Sequence, residues 1–143
     1  MNPAAQSQAL LIGRLLLAAI FLVAGLRKLM PIVWGAGGAA TAGYFAKLGF
    51  PMPEVMVWVA IVIEIGGALA LIAGWHARPT AWLLILFVAI ATAMAHRFWE
   101  FDAAQYNNQL NHFLKNVAII GGLLYVAAMG PGSASVDAKG ARP

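Results

Sequence analysis

Four apolar stretches, each close to the roughly 20 residues that cross a bilayer as a helix, fill most of this 143-residue chain and constrain its fold more than any other feature. They cover about residues 9–28, 54–74, 79–96 and 110–129. Hydrocarbon offers no partner to a backbone N–H or C=O, so spans of this length must satisfy their own hydrogen bonds as helices. The chain therefore reads as all-α: a single transmembrane domain over 1–143, an integral membrane four-helix bundle with a long membrane-hugging loop between helices one and two and a soluble tail over 130–143. A soluble fold is excluded by supply. With 9 Lys and Arg and 5 Asp and Glu, 62% hydrophobic residues and a mean hydropathy of +0.81, the chain cannot clothe a core in polar side chains.

The first stretch competes with a signal peptide. Its charge, Arg14, lies inside the apolar run, and the run ends in Arg27-Lys28-Leu29-Met30-Pro31 where a cleavage site would have small residues, so it is read as a helix. Beyond Pro31 the chain is rich in Gly and Ala with Trp34, Tyr44, Phe45 and Phe50 interleaved, a composition suited to the headgroup level, and 39–48 is long enough for a short interfacial helix. The link between helices two and three is so short that they form an antiparallel pair. Four spans place both termini on one side, read as the cytoplasmic one although basic residues divide almost evenly: Arg78, Lys139 and Arg142 against Arg27, Lys28, Lys47 and Arg97.

The net charge of +4 does not point to nucleic acid, because the basic residues stand singly or in pairs between apolar segments. The absence of Cys removes disulfides, thiolate nucleophiles and Cys-ligated metal centres. Gly66-Gly67 and Gly121-Gly122 fit close helix packing in lipid.

Charge inside the spans carries the functional information. A charged side chain at the bilayer centre costs about 2.5 kcal/mol on insertion scales and much more in simulations. Glu64 sits about ten residues, roughly 15 Å, below the long-loop surface and requires a partner. Lys28, His96, Lys115 and Asn116 approach it from that same surface, and Arg14 approaches from the other. Arg14, Ala18, Phe21, Gly25 and Lys28 share one stripe of helix one, which must face protein. Asn108, Asn111, His112 and Lys115 on helix four, and Thr92, His96 and Trp99 on helix three, fall at the same spacing, so a polar cavity open to the long-loop side is expected. Glu64 and His96 are the candidate catalytic residues, and Arg14, Lys28, Lys115 and Asn116 the candidate cofactor-binding ones.

This set suits proton movement or the grip of a polar headgroup. A quinone fits it, with carbonyls accepting from His96, Lys28 or Lys115 and its tail in lipid. The competing account is an ion-pair network that only holds the helices together. Haem is a weaker reading of His96, Glu100 and His112, since no known ligand spacing is completed, and no metal site is expected.

Several pieces in order resemble the DoxX family of small four-helix membrane proteins. They are Arg14 in helix one, Gly25-Leu26-Arg27-Lys28-Leu29, Leu48-Gly49-Phe50-Pro51-Met52-Pro53, and Glu64-Ile65-Gly66-Gly67-Ala68-Leu69 followed by Gly74 and Arg78. His96-Arg97-Phe98-Trp99, Lys115-Asn116 and Gly130-Pro131-Gly132 follow in turn. The resemblance implies a four-helix membrane fold in the cell inner membrane, a polar centre at Arg14, Lys28, Glu64, His96, Lys115 and Asn116, and a link to thiosulfate:quinone oxidoreduction or to membrane oxidoreductase complexes. A quinone-linked redox protein or subunit is the reading preferred here, and a non-catalytic accessory or assembly subunit the alternative. Transport ranks last, because four helices are few for a two-repeat carrier. The expected partners are the bilayer and either a membrane complex or further copies of the chain.

Overall fold

A computed structural model describes residues 2–35 and 37–140. Arg142, one of the basic residues assigned to the terminal side, lies outside the described residues. Among the described residues four helices are long and apolar enough to cross a membrane: α1 (Pro3–Val33), α3 (Pro53–Ala73), α4 (Ala77–Ala95) and α5 (Ala103–Met129). Two shorter helices, α2 (Ala39–Lys47) and α6 (Val136–Gly140), and a 3-10 turn (Phe98–Glu100) are the other elements among the described residues.

Helix ends follow local chemistry more than hydropathy, and two spans are longer than the apolar runs. α1 starts at Pro3 because the Asn2 side chain accepts a hydrogen bond from the Ala5 N–H at 2.7 Å and Pro3 fits the first turn. It passes Pro31 to reach Val33: a proline this near the end costs only the Arg27 carbonyl its donor, and Trp34 N–H still bonds Met30 C=O at 3.0 Å. α5 begins seven residues before the expected Leu110, where the Asp102 carboxylate caps the Gln105 N–H at 3.0 Å. With 27 residues it is about 40 Å long, so its polar first turns stand clear of the hydrocarbon.

The spans form an antiparallel square in which α1 packs on α3, α3 on α4, α4 on α5 and α5 on α1. Small residues make the contacts. Ala18, Ala68, Ala77 and Ala81 are wholly buried, with Phe21, Leu71, Leu84 and Leu123 filling between them. A side chain at Gly67 would run into Leu84 and one at Gly122 into Leu17, whereas Gly66 and Gly121 meet nothing, so one glycine of each pair serves packing. Leu16, Val62, Leu86 and Tyr125 point outward and are more than half exposed, as a lipid-facing surface requires. On the long-loop side α2 lies across α3, its Ala42 buried against Val57 and Ile61.

The tail, expected as a soluble segment, keeps Ser133, Ala134, Val136 and Lys139 exposed but is tied to the bundle. It folds back over the end where α3 meets α4. The Asp137 carboxylate accepts from the His76 and Ala77 N–H groups at 2.8 and 3.0 Å, capping α4, and its own N–H donates to Gly74 C=O at 3.1 Å. Ser133 and Ser7 join by their hydroxyls at 2.6 Å.

Candidate functional site

The stripe on α1 faces the bundle, with Arg14, Ala18, Phe21 and Gly25 all buried. Gly25 sets how closely α1 and α3 approach. A Cβ there would lie 2.6 Å from Ile65 Cγ1 and 3.1 Å from Glu64 Cβ, so only glycine lets the two helices come this close. Lys28, one turn further along α1, then reaches Glu64. Its Nζ lies 2.8 Å from both Oε1 and Oε2, and its remaining contact is the Ala24 carbonyl at 3.4 Å. The Glu64 side chain is 7% exposed and that of Lys28 22%. Pairing turns two costly charges into one neutral unit.

This pair forms one end of a cavity of about 540 Å³ between α2, α3 and α4. Its walls are apolar: Phe45, Leu48 and Phe50 cover it from α2 and the following turn, Ala60 and Ile63 line it from α3, and Phe87 and Ala91 from α4. Leu83, Leu86 and Ile90, also on the wall, are exposed on the lipid side. Lys28, Tyr44, Glu64 and His96 are its polar lining residues. The cavity is thus an apolar chamber with four polar residues in its lining, two of them the ion pair, open sideways toward lipid.

His96 borders this cavity at the end of α4. Its Nδ1 lies 2.9 Å from Gln109 Oε1 on α5, and its ring stacks on His112 at 5.0 Å between centroids and 18° between planes. Glu100, a candidate haem partner by sequence, instead pairs with Arg97 at 3.2 Å. Among the described residues no group of three or more His, Cys, Asp or Glu is placed to hold a metal ion.

The other expected members lie elsewhere. Asn116 is buried between α4 and α5, where its Nδ2 donates to Thr92 Oγ1 at 2.8 Å while Thr92 donates to Val88 C=O at 2.6 Å. Lys115 is exposed with Asn108 and Asn111, so most of the α5 stripe looks outward, whereas His112, with Gln109 and Asn116 beside the stripe, turns toward α4. Arg14 belongs to the terminal end. Its Nη2 donates to Ala134 C=O at 2.7 Å, and a side chain at Gly74 would overlap its guanidinium. The expected single polar centre is therefore three sites: Lys28, Glu64 and His96 at the cavity, Asn116 with Thr92 between α4 and α5, and Arg14 under the tail. Tyr44, Phe45 and Phe50, expected at the headgroup level, also form cavity walls, and Gln109 is a contact the expected site lacks. Gln109, one turn before His112, could have been found by the same helical spacing.

Comparison with known proteins agrees with this architecture. Residues 9–97 match the DoxX family, a stretch that contains Lys28, Glu64 and His96 but stops before α5. Inner membrane protein YphA of Escherichia coli (strain K12) is 33% identical over 136 residues, 95% of this chain and 93% of that protein. Inner membrane protein YqjF of the same organism is 35% identical over 127 residues, 89% of this chain and 88% of that protein. The Surfeit locus protein 4 homolog of Schizosaccharomyces pombe (strain 972 / ATCC 24843) is 31% identical over 99 residues, 68% of this chain and 32% of its own length. No solved structure matches. On its matched region, its two near-full-length relatives and its four spanning helices, the chain is a multi-pass inner membrane protein of the DoxX family.

Proposed function

We propose that this protein is a quinone-linked membrane subunit of an oxidoreductase system and holds its quinone in the cavity between α2, α3 and α4. The observation that supports this reading is a neutralised Lys28–Glu64 pair at one end of an otherwise apolar, lipid-facing chamber. A cavity of about 540 Å³ is of the size that takes small amphiphiles, which such sites hold by apolar walls and a few placed polar groups. An isoprenoid tail would lie along Leu83, Leu86 and Ile90, and the ring would reach Lys28, Glu64 and His96.

A bound quinone supplies two-electron chemistry coupled to protons. The chain's own residues bind, orient and shield. Phe45 and Phe50 exclude water from the chamber, the ion pair fixes the ring end, and His96 and Glu64 can each hold a proton in its lining. With no Cys in the chain, electrons reach the site in this reading from a partner protein. We place both termini on the cytoplasmic side.

Purified protein extracted with organic solvent should release quinone in near-equal amount to protein. Ala91→Phe, which fills the chamber without touching the ion pair, should lower that yield several-fold. Quinone-free extracts from gently solubilised protein would end this reading.

The alternative, an accessory or assembly subunit, is favoured by the projecting end of α5, where Phe98 packs edge-on against Trp99, Tyr106 and Phe113. Trp99 is 58% exposed there. That reading requires larger proteins to co-purify with the chain and to be lost on Trp99→Ser, whether or not quinone is extracted.

A further inference from the structure

The hydrogen-bonding capacity left among the polar lining residues bears on which redox form the cavity takes, an inference that rests on the quinone reading of the same site. An ammonium has three N–H donors, and Lys28 directs its own toward Glu64 Oε1, Glu64 Oε2 and Ala24 C=O. This ammonium, a strong donor in the cavity lining, is thus already engaged. The Glu64 oxygens, each with two lone pairs, keep acceptor capacity after meeting Lys28.

His96 adds a second acceptor. An amide oxygen only accepts, so with Gln109 Oε1 facing His96 Nδ1 at 2.9 Å the neutral ring that fits this contact is the tautomer with its proton on Nδ1. Nε2 is then a lone pair on a residue that lines the cavity. Stacking on His112 holds the ring plane. Tyr44, the other polar lining residue, has a hydroxyl that can act either way.

We propose that the cavity prefers the reduced, hydroxyl-bearing form of its ligand and that Gln109 is the positioning residue that sets this preference through His96. A quinol O–H meets the Nε2 lone pair, whereas a quinone carbonyl there faces lone pair against lone pair. A hydroxyl-bearing lipid such as a diacylglycerol shares the same donor chemistry, so the two sources must be tested side by side.

The test is titration of the full chain in phosphatidylcholine nanodiscs with decylubiquinol, decylubiquinone and dioctanoylglycerol. Decylubiquinol should bind about tenfold more tightly than decylubiquinone, the value of one well-made hydrogen bond. Gln109→Leu should bring that ratio near one, and Gln109→Glu, which still accepts from Nδ1, should keep it. Nitrogen-15 NMR of the ligand-free protein, with His96 assigned through His96→Asn, should show the proton on Nδ1 in wild type and Gln109→Glu but not in Gln109→Leu. Equal binding of the two forms, or tighter binding of the quinone, overturns the preference and leaves the quinone site standing. Binding of dioctanoylglycerol alone, or of no probe, overturns both. A wild-type His96 proton on Nε2 removes the role given to Gln109 whatever binds.

Discussion

The Lys28 ammonium meets both carboxylate oxygens of Glu64 at 2.8 Å only because Gly25, one turn earlier, lets α1 approach α3 at Glu64 and Ile65. Helix contact and ion pair are therefore one construction. A backbone approach too close for any side chain brings a four-carbon lysine stem level with a carboxylate on the neighbouring span.

Removing one partner should cost much more than removing both. Lys28→Met leaves Glu64 unpaired at a position 5% exposed, and breaking a buried pair in this way costs about 3 to 5 kcal/mol. Lys28→Met with Glu64→Met should recover most of that loss, since apolar replacement of a buried pair is often neutral. Thermal unfolding of the four members of this cycle in detergent checks it. Additive losses would mean that the two side chains do not interact.

Gly25→Ala and Gly66→Ala should behave as opposites although both lie in helix interiors. The first drives a methyl into Ile65 and Glu64 and should cost about 1 to 3 kcal/mol, as overpacking does. The second meets open space and should be neutral or stabilising by up to about 1 kcal/mol from helix propensity. Gly25→Ala should also lower quinone co-extraction by displacing Lys28, an effect that Gly66→Ala lacks.

The same contrast shows what was legible in the sequence. The α1 stripe was legible because a charge deep in an apolar span, repeated at helical spacing, has to turn toward protein. The α5 stripe misled because Asn108, Asn111 and Lys115 fall where the helix enters the headgroups, and polar residues there can face outward at little cost. Arg14 shared the right stripe yet joined a different site, since spacing fixes a face and says little about which end of a 31-residue helix meets which neighbour. Asp137 carried no local signal at all: it caps a helix that starts 60 residues earlier in the chain.

Four antiparallel spans require reporters fused after Met1 and after Lys139 to agree, and one inserted at Gly49 to disagree with both. A cytoplasmic fluorescent reporter should be bright at the ends and a periplasmic phosphatase active at Gly49. The reverse pattern would invert the orientation without touching the fold. Disagreement between the two ends would exclude four spans.

The docked tail makes the last prediction. Asp137→Ala removes the cap at His76 and Ala77 and should cost about 1 to 2 kcal/mol, read as faster amide exchange over the first turn of α4. Truncation after Pro131 should cost more, because Arg14 also loses the Ala134 carbonyl. Arg14 is 1% exposed, and among the described residues its Nε and Nη1 have no partner. Without the tail, the charge must draw water into the bundle end or drive the helices apart. Arg14→Met in the truncated chain removes the charge while keeping an apolar stem against Gly74, and should restore much of the lost stability. If truncation leaves unfolding unchanged, the contacts of Ala134 and Asp137 do not hold the bundle end, and the stability of that end comes from the four spans alone.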